Sequence, residues 1–422
     1  MPAATALSIR AGRAGGAPIS RLMEQALANP ELISLAAGFV DQQSLPVEPT
    51  RQALDALLAE APLAKSALQY GTTPGHLPLR EQLLERTIAA DGISGRRNLS
   101  VGQMVLTAGS NELLHLIADT LCNPGDIVLC GAPSYFVFLS MLRSVGARAF
   151  GIASDAEGMI PEALEAELSR RQTAGELARV KAIYLTTYFD NPGSVTLSAE
   201  RRRRIVEIAK RWSRETRIYI IEDAAYRELR YEGDDTPSLL AHDPEGDTVI
   251  HTQTFSKSYS PGMRVGWGIL PPDLVEPVCA QKGNIDFGSP NFAQHLMSTV
   301  LELDLFDAHI ARLRDSYREK RDAMLEAADE HLAKLPGVQY ARPSGGLYVW
   351  LAAPPSIDTG PEGALLRRAL AEGVLYVPGE YCYAPEGEPA ARNRMRLSFG
   401  VQSPERIRRG IEALGRAVAS LL

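Results

Sequence analysis

Short β-branched or apolar runs alternate with helical patterns through the middle of this 422-residue chain, and that alternation most constrains the fold. Strand-like runs fall at Met104–Thr107, Asp126–Cys130, Val180–Thr186, Ile218–Ile221, Thr248–Thr252 and Val265–Leu270. Helical patterns lie between several of them, at Asn111–Cys122, Tyr135–Val145, Pro161–Arg171 and Ala199–Arg214. Strands that alternate with helices form βαβ units, so the expected class is α/β: a mostly parallel sheet covered by helices on both faces. Residues 50–300 are expected to form this large unit. Beyond it a long polar helix pattern runs from Asp304 to Leu335 and stops at Pro336-Gly337. Short strands follow around Gly337–Ala341, Gly346–Leu351, Val374–Val377 and Met395–Ser398, and a helix from Pro404 closes the chain. Residues 301–422 are therefore expected to form a smaller α+β domain, joined by residues 1–49 as an N-terminal arm.

Several function classes drop out at this level. The balance of 44 Lys and Arg against 51 Asp and Glu gives a net charge of −7, which argues against nucleic acid as partner. The run Arg201–Arg204 reads as the solvated face of a helix rather than a nucleic-acid patch. The longest uncharged run, Ile127 to Leu142, is interrupted by Gly131, Pro133 and Ser134 and falls short of the about 20 apolar residues of a membrane span. Four cysteines in so long a chain make neither a disulfide framework nor a zinc-ligand spacing. Glu112 and His115 form a single ExxH, whereas a carboxylate-bridged di-metal site needs two. Arg10, Arg13 and Arg21 give the N-terminus the composition of a transit peptide, but Gly12, Gly15, Gly16 and Pro18 break any long amphipathic helix; a cytoplasmic protein is expected. No GxGxxG, Walker A, HExxH or GxSxG motif occurs.

What remains is a set of polar residues just after the expected strands, the edge where open α/β sheets bind ligands. In Ser256-Lys257-Ser258, with Arg264 seven positions on, the lysine has the chemistry to form an imine with an aldehyde while serine and arginine hold a phosphate. A surface lysine in a polar turn is the plainer reading. Asp223, at the end of an apolar strand with Tyr226 three residues on, suits a protonated heterocycle and its phenolic oxygen; it equally suits a helix cap. Asn191-Pro192-Gly193 is a turn signal whatever its function. Gly109-Ser110-Asn111 places backbone N–H groups at a helix N-terminus, which serves an anion or a simple cap.

Taken together in this order, the pieces resemble the fold-type I pyridoxal-phosphate enzymes, specifically the class I/II aminotransferases, over nearly the whole chain. Ser34-Leu35-Ala36-Ala37-Gly38, Leu68-Gln69-Tyr70-Gly71, Pro74-Gly75 and Leu79-Arg80 look most like the branch holding 2-aminoadipate and kynurenine aminotransferases. The resemblance implies pyridoxal 5'-phosphate as cofactor and transfer of an amino group from an α-amino acid to a 2-oxo acid such as 2-oxoglutarate, by a ping-pong mechanism. It makes Lys257 the catalytic, Schiff-base lysine and Asp223 the partner of the pyridine nitrogen. Tyr226 and Asn191 match the groups at the ring oxygen; Ser110, Asn111, Ser256 and Arg264 match the phosphate cup; Tyr135 matches the stacking aromatic. Tyr70 matches a tyrosine that reaches the phosphate from a neighbouring subunit, which implies a homodimer. Arg396 matches the arginine of the substrate α-carboxylate, and Gly38 the backbone position that lets that carboxylate approach. Arg394 is expected to point the other way, leaving Arg396 to serve.

Two departures stand out. The family's Asn-Pro-Thr-Gly turn reads Asn191-Pro192-Gly193-Ser194, and its N-terminal Ile-Arg reads Ile19-Ser20-Arg21, which leaves recognition of a distal carboxylate to Arg21 or Arg10. A β-lyase, decarboxylase or racemase would share the lysine, aspartate and phosphate cup. A regulatory module with this fold would need a DNA-binding region, for which the first forty residues leave no room.

Overall fold

The computed structural model describes residues 6–15, 29, 31–93 and 99–422. Its centre is a nine-stranded sheet. In spatial order the path runs Glu386–Gly387, Arg148–Asp155, Ile127–Ala132, Val180–Thr186, Tyr219–Asp223, Val249–Thr254, Gly266–Ile269 and Met104–Thr107, with Gly158–Met159 paired beside Arg148–Asp155. Every pairing along the path is parallel except the two made by Gly266–Ile269. That exception has a simple cause. The chain turns back within a dozen residues of Thr254, too few for a helical crossover, so the strand returns antiparallel.

The central strands are buried on both faces, as the near-continuous apolar runs of a doubly covered sheet require. Alternate residues feed two cores. Leu106, Leu129, Ile183 and Ile220 face one, and Val105, Val128, Tyr184 and Ile221 face the other. The strand Arg148–Asp155 has no counterpart among the expected runs.

In the C-terminal part the expected runs are present as strands and helices, except that Val374–Val377 is divided into Val374–Leu375 and Val377–Pro378, which lie in different sheets. A long helix, Leu305–His331, packs along the closing helix Pro404–Ala419. A four-stranded antiparallel sheet follows the order Gln339–Tyr340, Tyr348–Ala352, Arg394–Ser398, Val377–Pro378. The N-terminal strand Ile33–Ser34 pairs with Val374–Leu375, and Glu386–Gly387 reaches back to the edge of the large sheet. Segments remote in sequence, residues 33–34 and 374–375, thus meet in a sheet of their own.

One expectation about the surface is corrected. The four arginines 201–204 do not share a solvated face. Arg201, Arg203 and Arg204 pair outward with Asp155, Glu207 and Glu162, but Arg202 is fully buried against Glu222. A helix turns about 100° per residue, so four consecutive side chains cannot all face water, and Arg202 lies one turn before the buried Ile205 and Val206.

Candidate active site

The return that makes the sheet turn back also carries the central lysine. Thr254 ends its strand and its hydroxyl oxygen accepts from the Ser256 N–H at 3.2 Å, capping the short helical turn Phe255–Ser258. That turn lifts Lys257 over the strand ends, where its Nζ donates to the Gly38 carbonyl at 2.7 Å. Burial pulls the Lys257 pKa below its ordinary value; Tyr348 and Asp223 oppose this, and the guanidinium groups of Arg396 and Arg264 add to it. An amine so placed is a better base near neutral pH than a free lysine.

Arg264, in a left-handed conformation at φ +50°, closes the same return. It donates to the Ala108 carbonyl at 2.7 Å and to Ser256 Oγ at 3.3 Å. Beside it the helix Ser110–Leu121 begins. Gly109 precedes that helix with φ +83°, and a Cβ there would lie 2.5 Å from Arg264 Nη2. Only glycine permits this approach, which sets a guanidinium, two serines and a helix N-terminus around one small space.

Asp223 stands on the neighbouring strand end. It is buried, accepts from the Tyr184 hydroxyl at 3.0 Å and from the Ala225 N–H at 3.2 Å. Burial outweighs these donors and raises its pKa to about 6. Tyr226 follows, its hydroxyl 3.1 Å from that of Tyr348. Tyr135 walls the space and donates to Asn111 Oδ1 at 3.4 Å. From the other part of the chain comes Arg396. It is buried, donates to Asn191 Oδ1 at 2.8 Å and to the Ala36 carbonyl at 2.7 Å, and keeps a buried Nε with no hydrogen-bond partner.

These groups line one cavity of about 630 Å³, a size that suits a cofactor with a substrate. Gly38, Ser110, Asn111, Tyr135, Asn191, Asp223, Tyr226, Ser256, Lys257, Arg264 and Arg396 all reach it. Lys257, Arg264 and Arg396 form no ion pair among the described residues, although most surface arginines here do. Two guanidinium groups without counter-charges, with an amine beside one buried carboxyl, call for an anionic ligand with a cationic end. Pyridoxal phosphate has both: Arg264, Ser256, Ser110 and Asn111 fit its phosphate, Asp223 its protonated nitrogen, Tyr135 its ring face and Lys257 its aldehyde.

Tyr70 lies outside the cavity of its own chain. It is 81% exposed and makes an edge contact with the exposed Phe287 at 5.7 Å. Ser20 and Arg21 lie outside the described residues, and Arg10 is engaged with Asp119 at 3.0 Å and His115 at 2.9 Å. The expectation for Arg394 needs correction. Residues two apart on a strand share a face, so Arg394 points the same way as Arg396. What separates them is position along the strand. Arg394 lines a neighbouring cavity with Trp350 and Tyr383, and it is Arg396 that donates a hydrogen bond to Asn191. The site residue missed in the sequence is Tyr348, whose ring lies 4.3 Å from the Arg396 guanidinium. In sequence it reads as one more apolar position of a strand.

Residues 30–414 match the family Aminotransferase class I and II. The chain belongs to that family. Among its relatives, the aromatic-amino-acid aminotransferase 1 of Thermococcus litoralis is 35% identical over 92% of this chain and 88% of its own. The 2-aminoadipate transaminase of Thermus thermophilus is 33% identical over 98% and 96%. The structure of a kynurenine aminotransferase from Pyrococcus horikoshii, in complex with PMP, superposes with a TM-score of 0.90 at 33% identity, covering 99% of this chain and 97% of that one. This class I/II aminotransferase is therefore a pyridoxal-phosphate enzyme of fold type I that transfers amino groups.

Proposed function

We propose that this aminotransferase moves the amino group of an aromatic or 2-aminoadipate-like α-amino acid to 2-oxoglutarate by a ping-pong cycle. The gathering of Lys257, Arg264 and Arg396, none in an ion pair among the described residues, in one cavity with the buried Asp223 carries the reading. Arg396 would grip the substrate α-carboxylate, its free Nε completing a two-point contact, while Asn191 and the Ala36 carbonyl hold the guanidinium in place. Gly38 would offer its backbone to that carboxylate, and its missing Cβ leaves the room that the Tyr348 hydroxyl takes, 2.7 Å from where a Cβ would stand. Pyridoxal phosphate, when bound, supplies an electron-accepting ring that makes the substrate Cα–H acidic. Lys257, freed from Gly38, takes the Cα proton, a task for which its lowered pKa suits it. Asp223 lines the same cavity as the phosphate cup and would ionise fully once a positive charge faces it.

The substrate class is supported by the walls and by the relatives. Phe39, Tyr135, Phe136 and Tyr348 line the cavity, which suits an aromatic side chain, and the similar enzymes are named for aromatic amino acids and 2-aminoadipate. A panel of amino donors with 2-oxoglutarate tests this. Glutamate should form with aromatic donors or 2-aminoadipate; no glutamate with any of them would sink the assignment.

We further propose how the chain divides, assembles and is placed in the cell. Residues 50–300 act as the cofactor-binding unit, and residues 1–49 with 301–422 as the small domain. The active form is a homodimer: Leu68, Tyr70, Ile285 and Phe287 are exposed apolar side chains, two of them in ring contact, and suit burial against a second copy. Sedimentation that finds only monomer would refute the dimer. The protein acts in the cytoplasm, and none of the described helices is long and apolar enough to cross a membrane. Recovery of the protein in a membrane fraction would contradict that placement.

A further inference from the structure

Tyr348 sits where three parts of the site meet. Its hydroxyl lies 3.1 Å from the Tyr226 hydroxyl, and the two rings make an edge contact at 5.8 Å. Its ring covers the Arg396 guanidinium at 4.3 Å. Its hydroxyl also fills the space that a Cβ on Gly38 would need. The unusual turn holds it from behind: Ser194, at φ +60°, donates its hydroxyl to the Tyr348 carbonyl at 2.5 Å. One hydrogen bond thus ties the Asn191-Pro192-Gly193-Ser194 turn to the backbone that carries the phenol.

Each phenol has a single O–H. If Tyr226 donates to Tyr348, its proton is spent on a neighbour. If Tyr348 donates to Tyr226, the Tyr226 proton is free to face the cavity, and a phenol that accepts one hydrogen bond donates a stronger one. Tyr348 has no other hydroxyl partner among the described residues, so donation to Tyr226 satisfies it.

We propose that Tyr348 is a positioning residue for Tyr226: its hydroxyl donates to the Tyr226 oxygen and turns the Tyr226 proton toward the cofactor's ring oxygen. The inference rests on the placing of Tyr226 at that oxygen. A donor there favours loss of the proton shared between the ring oxygen and the lysine-linked nitrogen, so it holds down the pH midpoint of the bound cofactor's visible band.

The test is a pH titration of that band in the cofactor-loaded wild type, Tyr348→Phe, Tyr226→Phe and the double variant. Tyr348→Phe should raise the midpoint by about half a pH unit or more. Tyr226→Phe should raise it further, and adding Tyr348→Phe to it should change nothing more, because the two act through one bond. A midpoint unmoved by Tyr348→Phe but raised by Tyr226→Phe overturns the proposal alone. No shift in Tyr226→Phe overturns the placing of Tyr226 as well. Should Tyr348→Phe not fold, Ser194→Ala, which loosens the Tyr348 backbone, should move the midpoint the same way, and an unmoved midpoint there counts against the proposal.

Discussion

Glu222 and Asp223 are adjacent on one strand, both are buried, and their acidities move in opposite directions. Glu222 faces away from the cavity. Burial disfavours its charge, but His251 at 2.9 Å, Arg202 at 3.3 Å and the Leu239 N–H at 3.1 Å outweigh that, and its pKa falls to about 2. Asp223 faces the cavity with one phenol and one N–H, and burial prevails. The strand therefore has a finished side and an unfinished side. Where every charge already has its partner, the group serves the fold; where a buried charge lacks one, the protein has left room for a ligand.

The largest effect is expected at Glu222. Glu222→Gln should destabilise the cofactor-free protein by about 3–5 kcal/mol, because Arg202 is left buried without its counter-charge. Urea unfolding measures this, and a loss below about 1 kcal/mol would mean the cluster is not what anchors the strand. Asp223→Asn should act the opposite way. It should lower kcat/KM roughly a hundredfold or more, yet leave the cofactor-free protein no less stable near neutral pH, since burial of that charge opposes folding.

The pH dependence separates the two groups further. Asp223 has a folded pKa raised from 3.8 to about 6, so it penalises folding increasingly as pH rises through that window. The stability gained by Asp223→Asn in the cofactor-free protein should grow from pH about 4 to about 6 and stay level above. Glu222 has a folded pKa lowered from 4.5 to about 2, so its contribution is complete above 4.5 and is lost as pH falls toward 2. Unfolding free energies of the two variants across pH 2 to pH 8 (roughly the span of both pKa windows) check both signs; parallel curves would contradict the contrast.

The strands and the cavity side of this contrast were legible in the sequence, the buried charge cluster was not, and each has a physical reason. Met104–Thr107 and Val180–Thr186 read as strands because strands buried on both faces are apolar throughout. Arg148–Asp155 did not, because Arg148, Gly151 and Ser154 interrupt it and it lies toward the edge of the sheet. Asp223, Lys257 and Arg264 stood out as polar residues at strand ends. Glu222 and Arg202 look like surface charges until folding brings together residues 20 positions apart. The one available hint was that Arg202 falls on the apolar stripe of its helix. Tyr348 gave no hint, since only the pairing of its strand beside Arg394–Ser398 brings it over Arg396.

The central claim is that the unfinished side binds pyridoxal phosphate through Lys257. Reduction of the cofactor-loaded protein with borohydride, followed by digestion and mass spectrometry, tests it most directly. The reduced cofactor is expected on the peptide that contains Lys257 and on no other lysine. A stable adduct at a different lysine, or no adduct on a protein that still transfers amino groups, would contradict it.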